Sequence, residues 1–230
     1  MDRNNCDYLV PQQTRKIKPT RRSVSGIHVF RHEQSIAYES TLERDFIICQ
    51  EFSLNVLDII PQPCQIPFTS TNGRTYTYTP DFIVYFRLGD LSYDNYPKPI
   101  LVEVKPQAQW RQHWRKWLPK WKAAYRYAKE QGWVFHVVDE SRIRNQTLKN
   151  IQFLERYKRM QFPQEECQQI LEIVQQMDST PFHYLLSRCF MGIYKAEGIS
   201  LLWHLLATRQ LDCDITQPLN EFTELWVPEQ

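Results

Sequence analysis

Cysteine pairs with metal-ligand spacing, long apolar runs and internal repeats are all missing from this sequence. None of its six cysteines stands in a C-x-x-C spacing, so a structural zinc site of that kind is not expected. No apolar run approaches the roughly eighteen residues that a membrane span needs. The amino terminus, MDRNNCDYLV, lacks a secretory signal pattern. We therefore expect a soluble cytoplasmic protein that does not enter a membrane and whose cysteines are reduced.

The composition that is present supports a folded core and an uneven charge. The 230 residues are 42% hydrophobic and 13% aromatic, which suffices for one large domain or for an ordinary domain plus a small one. The net charge is only +2, but residues 161–230 hold three Lys/Arg against ten Asp/Glu, a balance of −7, and the first 160 residues carry +9. The basic part suits a polyanion such as DNA, whereas the acidic part suits protein or solvent.

The hydrophobic pattern predicts an α/β domain over residues 36–160, with a mixed sheet flanked by helices. In chain order we expect a helix at 36–52, strands at 56–60, 64–68, 75–86 and 100–106, a helical stretch at 107–131, a strand at 133–139 and a helix at 141–159. Within the helical stretch, Pro119 is expected to begin a second segment, because proline is tolerated in a first turn.

Two further regions flank this domain. Residues 1–35 are polar and basic, with TRKIKPTRR (14–22) as the densest charge run, and they predict either a solvated tail or an arm that lies along a phosphate backbone. Residues 161–230 predict helices at 164–177, 181–191 and 197–208 and a hairpin within 213–227. Three short helices and a hairpin indicate a small winged-helix-like module, which could bind DNA but whose acidic balance favours docking to protein.

Charged residues stand inside two strands that should be buried. Asp81 follows Pro80 in TYTPDFIVYF, and Glu103 and Lys105 are two apart in ILVEVKP. Residues two apart in a strand point to the same face, so Glu103 and Lys105 project together. Buried charges are costly unless something pairs with them. If the two strands pair near these ends, two carboxylates and one ammonium group converge.

A divalent metal ion would resolve the repulsion between these carboxylates. Carboxylate oxygens, waters and a backbone carbonyl are the ligands that Mg²⁺ prefers, and Mn²⁺ is expected to substitute. A nearby lysine can orient a water molecule and stabilise charge at an attacked phosphorus, so a phosphodiester is the expected substrate. Glu43, on the preceding acidic helix, could add a third carboxylate. The alternative is a structural ion pair between Lys105 and Glu103 or Asp81.

The helical stretch at 107–131 carries seven Lys/Arg and only one acid, Glu130. Its large aromatic residues recur at spacings of four and three, which is more typical of a core-facing stripe than of a base-stacking surface. The stripe consists of Trp110, Trp114, Trp117, Trp121 and Tyr125. The cations between them are then expected to face outward as a DNA-binding surface made of Arg111, Arg115, Lys116, Lys120 and Lys122. Nothing in this stretch predicts base-edge readout, so we expect no sequence preference from it.

The TPD and EVK motifs resemble those of the PD-(D/E)xK nuclease fold, which many restriction endonucleases and Holliday-junction resolvases share. The wider pattern of ESTLERDF, VLDII, YTPDF, EVKP and a following basic helix, over about residues 30–160, is similar to TnsA, the endonuclease subunit of heteromeric cut-and-paste transposases. Glu43, Asp81 and Lys105 match the family's site residues. Some members carry Gln-x-Lys where this sequence has Glu103-x-Lys105, which is a departure toward the general nuclease pattern.

The resemblance implies a specific activity and specific partners. TnsA-like proteins cut the 5′ strands at the ends of a transposon, a DDE transposase called TnsB cuts and joins the 3′ ends, and an AAA+ regulator called TnsC contacts TnsA, commonly through its carboxyl-terminal part. Glu43, Asp81 and Glu103 would then hold one or two Mg²⁺ ions, with the Val104 carbonyl as a further ligand, and Lys105 would position the water. The DNA substrate of such a system is in bacterial cytoplasm, at the nucleoid.

Two other functions remain open from the sequence. One is a free-standing nuclease, such as a restriction-type enzyme or a resolvase. The other is a DNA-binding scaffold in which the carboxylates and the lysine form only a structural ion pair.

Overall fold

The computed structural model describes residues 12–14, 24–31, 33–89, 95–190, 192 and 195–228. The chain divides into two compact units, Met1–Ile143 and Arg144–Gln230. Most of the basic run predicted as an arm, residues 15–22, lies outside the described residues. Within the described part of the chain, no helix combines the length and the apolar composition that a membrane crossing requires.

The first unit is built from eight strands and three helices within the described residues. In chain order they are β1 (Gly26–Phe30), β2 (Gln34–Tyr38), α1 (Thr41–Phe52), β3 (Val56–Pro61), β4 (Ile66–Thr69), β5 (Thr75–Tyr78), β6 (Phe82–Phe86), β7 (Ile100–Val104), α2 (Gln107–Glu130), β8 (Val134–Val138) and α3 (Glu140–Ile143).

The central sheet of this unit has the order β3-β6-β7-β8. The β3–β6 and β6–β7 pairs are antiparallel, whereas β7 and β8 are parallel. The sequence-based prediction of a mixed sheet flanked by helices is therefore confirmed. The parallel β7–β8 pair is joined through α2, because a parallel connection needs a long crossover that a helix can supply.

Both faces of the sheet are covered, which explains why its strands are almost continuously apolar. Phe82, Val102 and Val104 pack with α1 in one core. Ile83 and Leu101 point to the opposite face and pack with α2 in a second core. Adjacent strand residues thus serve two separate cores, so a charged side chain on either face is buried unless it lies at a strand end.

The structure corrects the predicted amino-terminal boundary of the first helix. Residues 36–38 belong to β2, which pairs with β1 in an antiparallel hairpin, and so part of residues 1–35, predicted as a tail or an arm, is a strand. The helix itself begins only at Thr41, because the side chain of Ser40 accepts a hydrogen bond from the Glu43 N–H and caps it. Ile36 is fully buried and fixes the hairpin against the core.

The strand predicted at 75–86 is interrupted at residues 79–81, between β5 and β6. Pro80 has no N–H to donate to a ladder, so pairing breaks there. β5 instead pairs with β4 in a separate hairpin, and β6 enters the central sheet. The break places Asp81 immediately before β6.

α2 is one continuous helix of 24 residues with Pro119 inside it, rather than two segments. Its buried residues are Ala123, Ala124 and Ala128, whereas Trp114 and Tyr125 from the predicted core-facing stripe are 44% and 58% exposed. Small side chains allow a helix to approach the sheet closely. The predicted tryptophan stripe is therefore not the main packing face of this helix.

The second unit contains four helices and one short strand pair within the described residues. They are α4 (Gln146–Lys158), α5 (Gln164–Gln176), β9 (Thr180–Pro181), α6 (Phe182–Cys189), α7 (Lys195–Ala207) and β10 (Glu224–Leu225). The three helices predicted after residue 163 are all present. The fold of this unit is mainly helical with a small sheet, as expected.

Two predictions about the second unit need correction. The helix predicted at 141–159 is split into α3 and α4, with Asn145 as the cap of α4, and α4 belongs to this unit, where Phe153 contacts Trp203 of α7. The hairpin predicted within 213–227 does not form. Instead β10 pairs with β9, and Asp212 makes an isolated bridge to Trp226.

The close approach of α2 to the sheet can be tested by enlarging a buried alanine. Ala124 is fully buried, so replacing it with Leu should force a shift of the helix and lower the free energy of unfolding by about 1–3 kcal/mol. Urea denaturation followed by tryptophan fluorescence measures this change. Tyr125→Leu, at the exposed neighbouring position, is the control and should stay within about 0.5 kcal/mol. Equal losses in both variants would contradict the packing described here.

Candidate active site

Asp81, Glu103 and Lys105 meet at neighbouring strand ends of the central sheet. The Lys105 Nζ lies 3.5 Å from Asp81 Oδ2 and 3.5 Å from Glu103 Oε1. Lys105 directly follows β7, and its own N–H donates to the Val138 carbonyl of β8. The three residues that the sequence predicted to converge are therefore together in the structure.

Asp81 is held by both its backbone and its side chain. Its N–H donates to the Val102 carbonyl, and its Oδ2 accepts the Val104 N–H at 2.8 Å. Burial raises the pKa of the Asp81 carboxyl well above its usual range, and the nearby charges of Glu103 and Glu43 raise it further, whereas Lys105 opposes them. This carboxylate thus remains charged only when enough positive charge lies beside it.

Glu103 is buried against α2, with only 1% of the residue exposed. It lies on the same face of β7 as Leu101, which is the face that α2 covers. Its Oε2 accepts a hydrogen bond from the Tyr78 hydroxyl at 2.6 Å, and its Oε1 accepts one from Lys120 Nζ at 2.8 Å. Burial, and then the charge of Glu103, raise the pKa of Tyr78 well above its usual value, so the phenol stays protonated and donates.

Lys120 does not belong to the outward-facing cationic surface predicted from the sequence. Its side chain is only 17% exposed and pairs with Glu103. The ammonium group also lies 4.6 Å from the ring centre of Tyr78 and 5.1 Å from that of Trp117, where aromatic faces attract a cation. It turns inward because a carboxylate as buried as that of Glu103 needs a close counter-ion. The other four predicted DNA-binding cations are exposed: Arg111, Arg115, Lys116 and Lys122.

Glu43 lies in the first turn of α1, where it completes the helix cap. Its Oε2 accepts the Glu39 N–H at 2.7 Å and its Oε1 accepts the Ser40 hydroxyl at 2.9 Å. Burial raises the pKa of Glu43, while these hydrogen bonds and the charge of Lys105 act in the opposite direction. Since Glu43 also raises the pKa of Asp81, its carboxylate is electrostatically part of the cluster.

Lys105 remains an ammonium group in this environment. Burial by itself lowers the pKa of Lys105, but the carboxylates of Asp81, Glu103 and Glu43 outweigh burial and raise the pKa above its usual value. A permanently protonated lysine cannot accept a proton at neutral pH. It can donate hydrogen bonds and stabilise negative charge.

The cluster suits a hard divalent cation in the chemistry of its donors. Three carboxyl groups face two ammonium groups, Lys105 and Lys120, so all three can be charged only when further positive charge is present. In the described residues, however, no group of three or more His, Cys, Asp or Glu side chains lies close enough to form a ready set of ligands. Both Glu103 oxygens already accept a hydrogen bond, so direct ligation by Glu103 would use a remaining lone pair of one of them.

Two residues of the cluster, Tyr78 and Lys120, are not predicted from the sequence. Tyr78 falls within the predicted strand at 75–86 and carries no signal of its own. Lys120 is predicted to face outward, although it falls near the helical stripe that holds Trp117, Ala124 and Ala128. A lysine on the apolar side of a helix is a signal for a buried partner, but it does not identify Glu103 as that partner.

Comparison with known families covers most of the chain in two adjacent matches. Residues 53–140 match the TnsA-like endonuclease N-terminal model, and residues 142–215 match the TnsA endonuclease C-terminal model. The first match contains Asp81, Glu103, Lys105 and all of α2, whereas Glu43 precedes it. Among curated proteins, none matches the chain.

The Glu103–Lys120 pair provides a test of the arrangement. Lys120→Met keeps a similar side-chain length but leaves the buried carboxylate short of a counter-ion, so the free energy of unfolding should fall by about 3 kcal/mol. Adding Glu103→Gln should recover much of this loss, because a neutral amide needs no counter-ion, and a double-mutant cycle measures the coupling. Lys116→Met, at an exposed position, is the control. Equal costs for the two lysine variants would place Lys120 outside the cluster.

Proposed function

The chain belongs to the TnsA endonuclease family, and from this membership we propose that it cuts the 5′ strands at the ends of a transposon during cut-and-paste transposition. The observation that carries the proposal is the meeting of Asp81, Glu103 and Lys105 at adjacent strand ends, with Glu43 nearby. A structural ion pair with Lys105 needs only one carboxylate, whereas Lys105 here contacts both Asp81 and Glu103.

We assign Mg²⁺ as the cofactor, with Mn²⁺ as a substitute. Asp81, Glu103, Glu43 and the Val104 carbonyl would hold it, since oxygen donors of this kind match its preference. When bound, the metal supplies Lewis-acid activation of water and of the phosphodiester. The hydrogen bond from the Val104 N–H to Asp81 fixes one carboxylate toward the site before any cation binds.

Lys105 would act as a donor rather than as a base. Its ammonium group, held between Asp81 and Glu103, can orient the attacking water by a hydrogen bond and stabilise the charge that develops at phosphorus. Tyr78 and Lys120 would position Glu103 through its two oxygens. In-line attack of water on the phosphodiester would leave a 5′-phosphate and a 3′-hydroxyl.

The partners follow from family membership as part of the proposal. A TnsB-like DDE transposase would cut the 3′ strands, and a TnsC-like AAA+ regulator would dock on the carboxyl-terminal unit. Within this unit, residues 144–160 carry a balance of +4 and residues 161–230 a balance of −7, and the acidic part supports a protein partner rather than a DNA phosphate backbone. Such a nuclease would act in the bacterial cytoplasm, at the nucleoid.

Strand-resolved mapping of cuts tests this function. The full chain, its TnsB-like and TnsC-like partners, Mg²⁺ and a transposon-end duplex are combined, and wild type is compared with Asp81→Asn, which keeps the acceptor for the Val104 N–H. The 5′-strand cuts should fall by at least about a hundredfold while the 3′-strand cuts persist. Glu130→Gln, at an exposed acid on α2, should cut normally.

Three other outcomes of this experiment would overturn parts of the proposal. Robust cutting by the chain alone would indicate a free-standing nuclease. Equal cutting of both strands by wild type and Asp81→Asn, with matched melting temperatures, would mean that the cluster is structural and that the chain is a scaffold. Loss of cuts on both strands in the variant would mean that this site is required for cutting both strands and not only the 5′ strand.

The cofactor can be tested without DNA. A carboxyl whose pKa is raised keeps its proton at pH values below that pKa, and a cation must displace this proton from Asp81. The affinity for Mn²⁺ should therefore rise with pH and level off above the pKa of Asp81. Calorimetry in buffers of different ionisation enthalpy measures both the affinity and the released protons.

Two variants give this titration its controls. Asp81→Asn should abolish tight Mn²⁺ binding, and Glu130→Gln should leave it unchanged. Binding that is independent of pH and unaffected by Asp81→Asn would contradict the assignment of the metal site.

A further inference from the structure

A groove of about 560 Å³ lies between the β4–β5 hairpin and α2. The helix contributes three cations to its lining, and the hairpin contributes three threonines: Arg115, Lys122, Arg126, Thr69, Thr71 and Thr75. Its remaining surface includes the apolar Phe68, Leu118 and Pro119. None of the described side chains that line it is acidic. The groove thus combines positive charge, hydroxyl donors and a weakly polar floor.

The three cations form a straight row along one face of α2. They are separated by seven and four residues, so their directions around the helix axis agree to within about 20° to 40°. At 1.5 Å per residue the row is about 16 Å long, which is enough to contact more than one phosphate of a DNA strand.

The charge of this row is available to a ligand. In the parts of the chain that the structure describes, no salt bridge engages Arg115, Lys122 or Arg126, and Arg115 makes only a cation–π contact with the neighbouring Trp114. Lys120, on the same helix, is by contrast neutralised by Glu103. α2 therefore separates a cation that serves the buried site from cations that remain open to an external anion.

The two elements that line the groove also carry the two hydrogen-bond partners of Glu103. Thr75, at the start of β5, lines the groove, and Tyr78, at the end of β5, donates to Glu103. Three strand residues span about 10 Å. On α2, Lys120 lies about 120° to 160° around the helix axis from the three cations of the row, so the link between the groove and the active site runs along β5. Along β5, a DNA strand with one phosphate at the active site would reach the edge of the groove at Thr75 within a few nucleotides.

We propose that this groove binds the sugar–phosphate backbone of duplex DNA next to the phosphodiester that is cut. The cations would contact phosphate oxygens, the threonine hydroxyls would donate to the same oxygens, and the apolar floor would pack against deoxyribose. This inference rests on the proposed nuclease function and adds to it a second DNA contact made by the β4–β5 hairpin and Arg126, neither of which the sequence analysis assigned.

Duplex binding in EDTA tests the groove separately from catalysis. Fluorescence anisotropy of a labelled duplex is followed from 50 to 200 mM salt with the full chain. Lys122→Gln/Arg126→Gln should weaken binding at least about tenfold at low salt and reduce the slope of log K against log salt by about two, because each lost phosphate contact removes about 0.9.

The control removes the same charges from another part of the same unit. Arg87 follows β6 and Lys98 precedes β7, so both lie at the strand ends opposite to the active site, and both are exposed. Arg87→Gln/Lys98→Gln should change the slope by less than about 0.5. Equal effects of the two pairs would mean that binding reflects the overall charge, and no effect of Lys122→Gln/Arg126→Gln would assign the groove to another ligand. Either result overturns the proposal.

A charge-neutral variant tests the hairpin side of the groove. Thr69→Val/Thr75→Val removes two hydroxyl donors from paired strand positions and keeps β-branched side chains. It should weaken binding about two- to tenfold with an unchanged salt slope, and unchanged affinity would exclude the hairpin from the contact.

The two proposals can fail separately. Only the groove proposal fails if the groove variants bind DNA normally while Asp81→Asn abolishes cutting. The nuclease function fails alone if Asp81→Asn cuts normally while the groove variants lose DNA.

Discussion

The burial of the Glu103 carboxylate is the constraint on which the rest of the first unit depends. A carboxylate with 1% exposure can remain charged only if its oxygens are satisfied, and here Tyr78 takes one oxygen while Lys120 and Lys105 share the other. These partners come from β5, from α2 and from the end of β7. A single charge thus ties the hairpin, the crossover helix and the central sheet together at one point.

Glu43 also has two roles. Its carboxylate caps the first turn of α1 by accepting hydrogen bonds from the Glu39 N–H and the Ser40 hydroxyl. Its position in the cluster therefore follows from ordinary helix capping, which fixes the side chain before any substrate is present. A residue that both starts a helix and contributes charge to a site cannot be replaced for one role without affecting the other.

Local patterns predicted much of this architecture. Apolar strands around Asp81 and Glu103, and the proline before Asp81, were enough to predict that the charged residues converge in a mixed sheet. The helices after residue 163 were also predicted, because their apolar residues recur at regular helical spacing.

The predictions failed where the structure depends on contacts between distant segments. The face of α2 that packs on the sheet is formed by alanines, and the hydrophobic periodicity of the sequence cannot tell whether the alanines or the tryptophans are buried. The inward orientation of Lys120 depends on Glu103, a carboxylate seventeen residues earlier. The β1–β2 hairpin and the α3–α4 division were likewise decided by pairing and capping rather than by propensity.

α2 is continuous from Gln107 to Glu130, and this continuity limits insertions and deletions within the helix. Each residue inserted into or deleted from a helix rotates everything beyond it by about 100° and shifts it by 1.5 Å. With one residue added between Lys120 and Lys122, Lys120 could no longer face Glu103 while Ala124 packs on the sheet and Arg126 lines the groove. A substitution in this helix affects one position, whereas an insertion or a deletion reorients every residue beyond it. The length of α2 is therefore more restricted than its amino-acid composition.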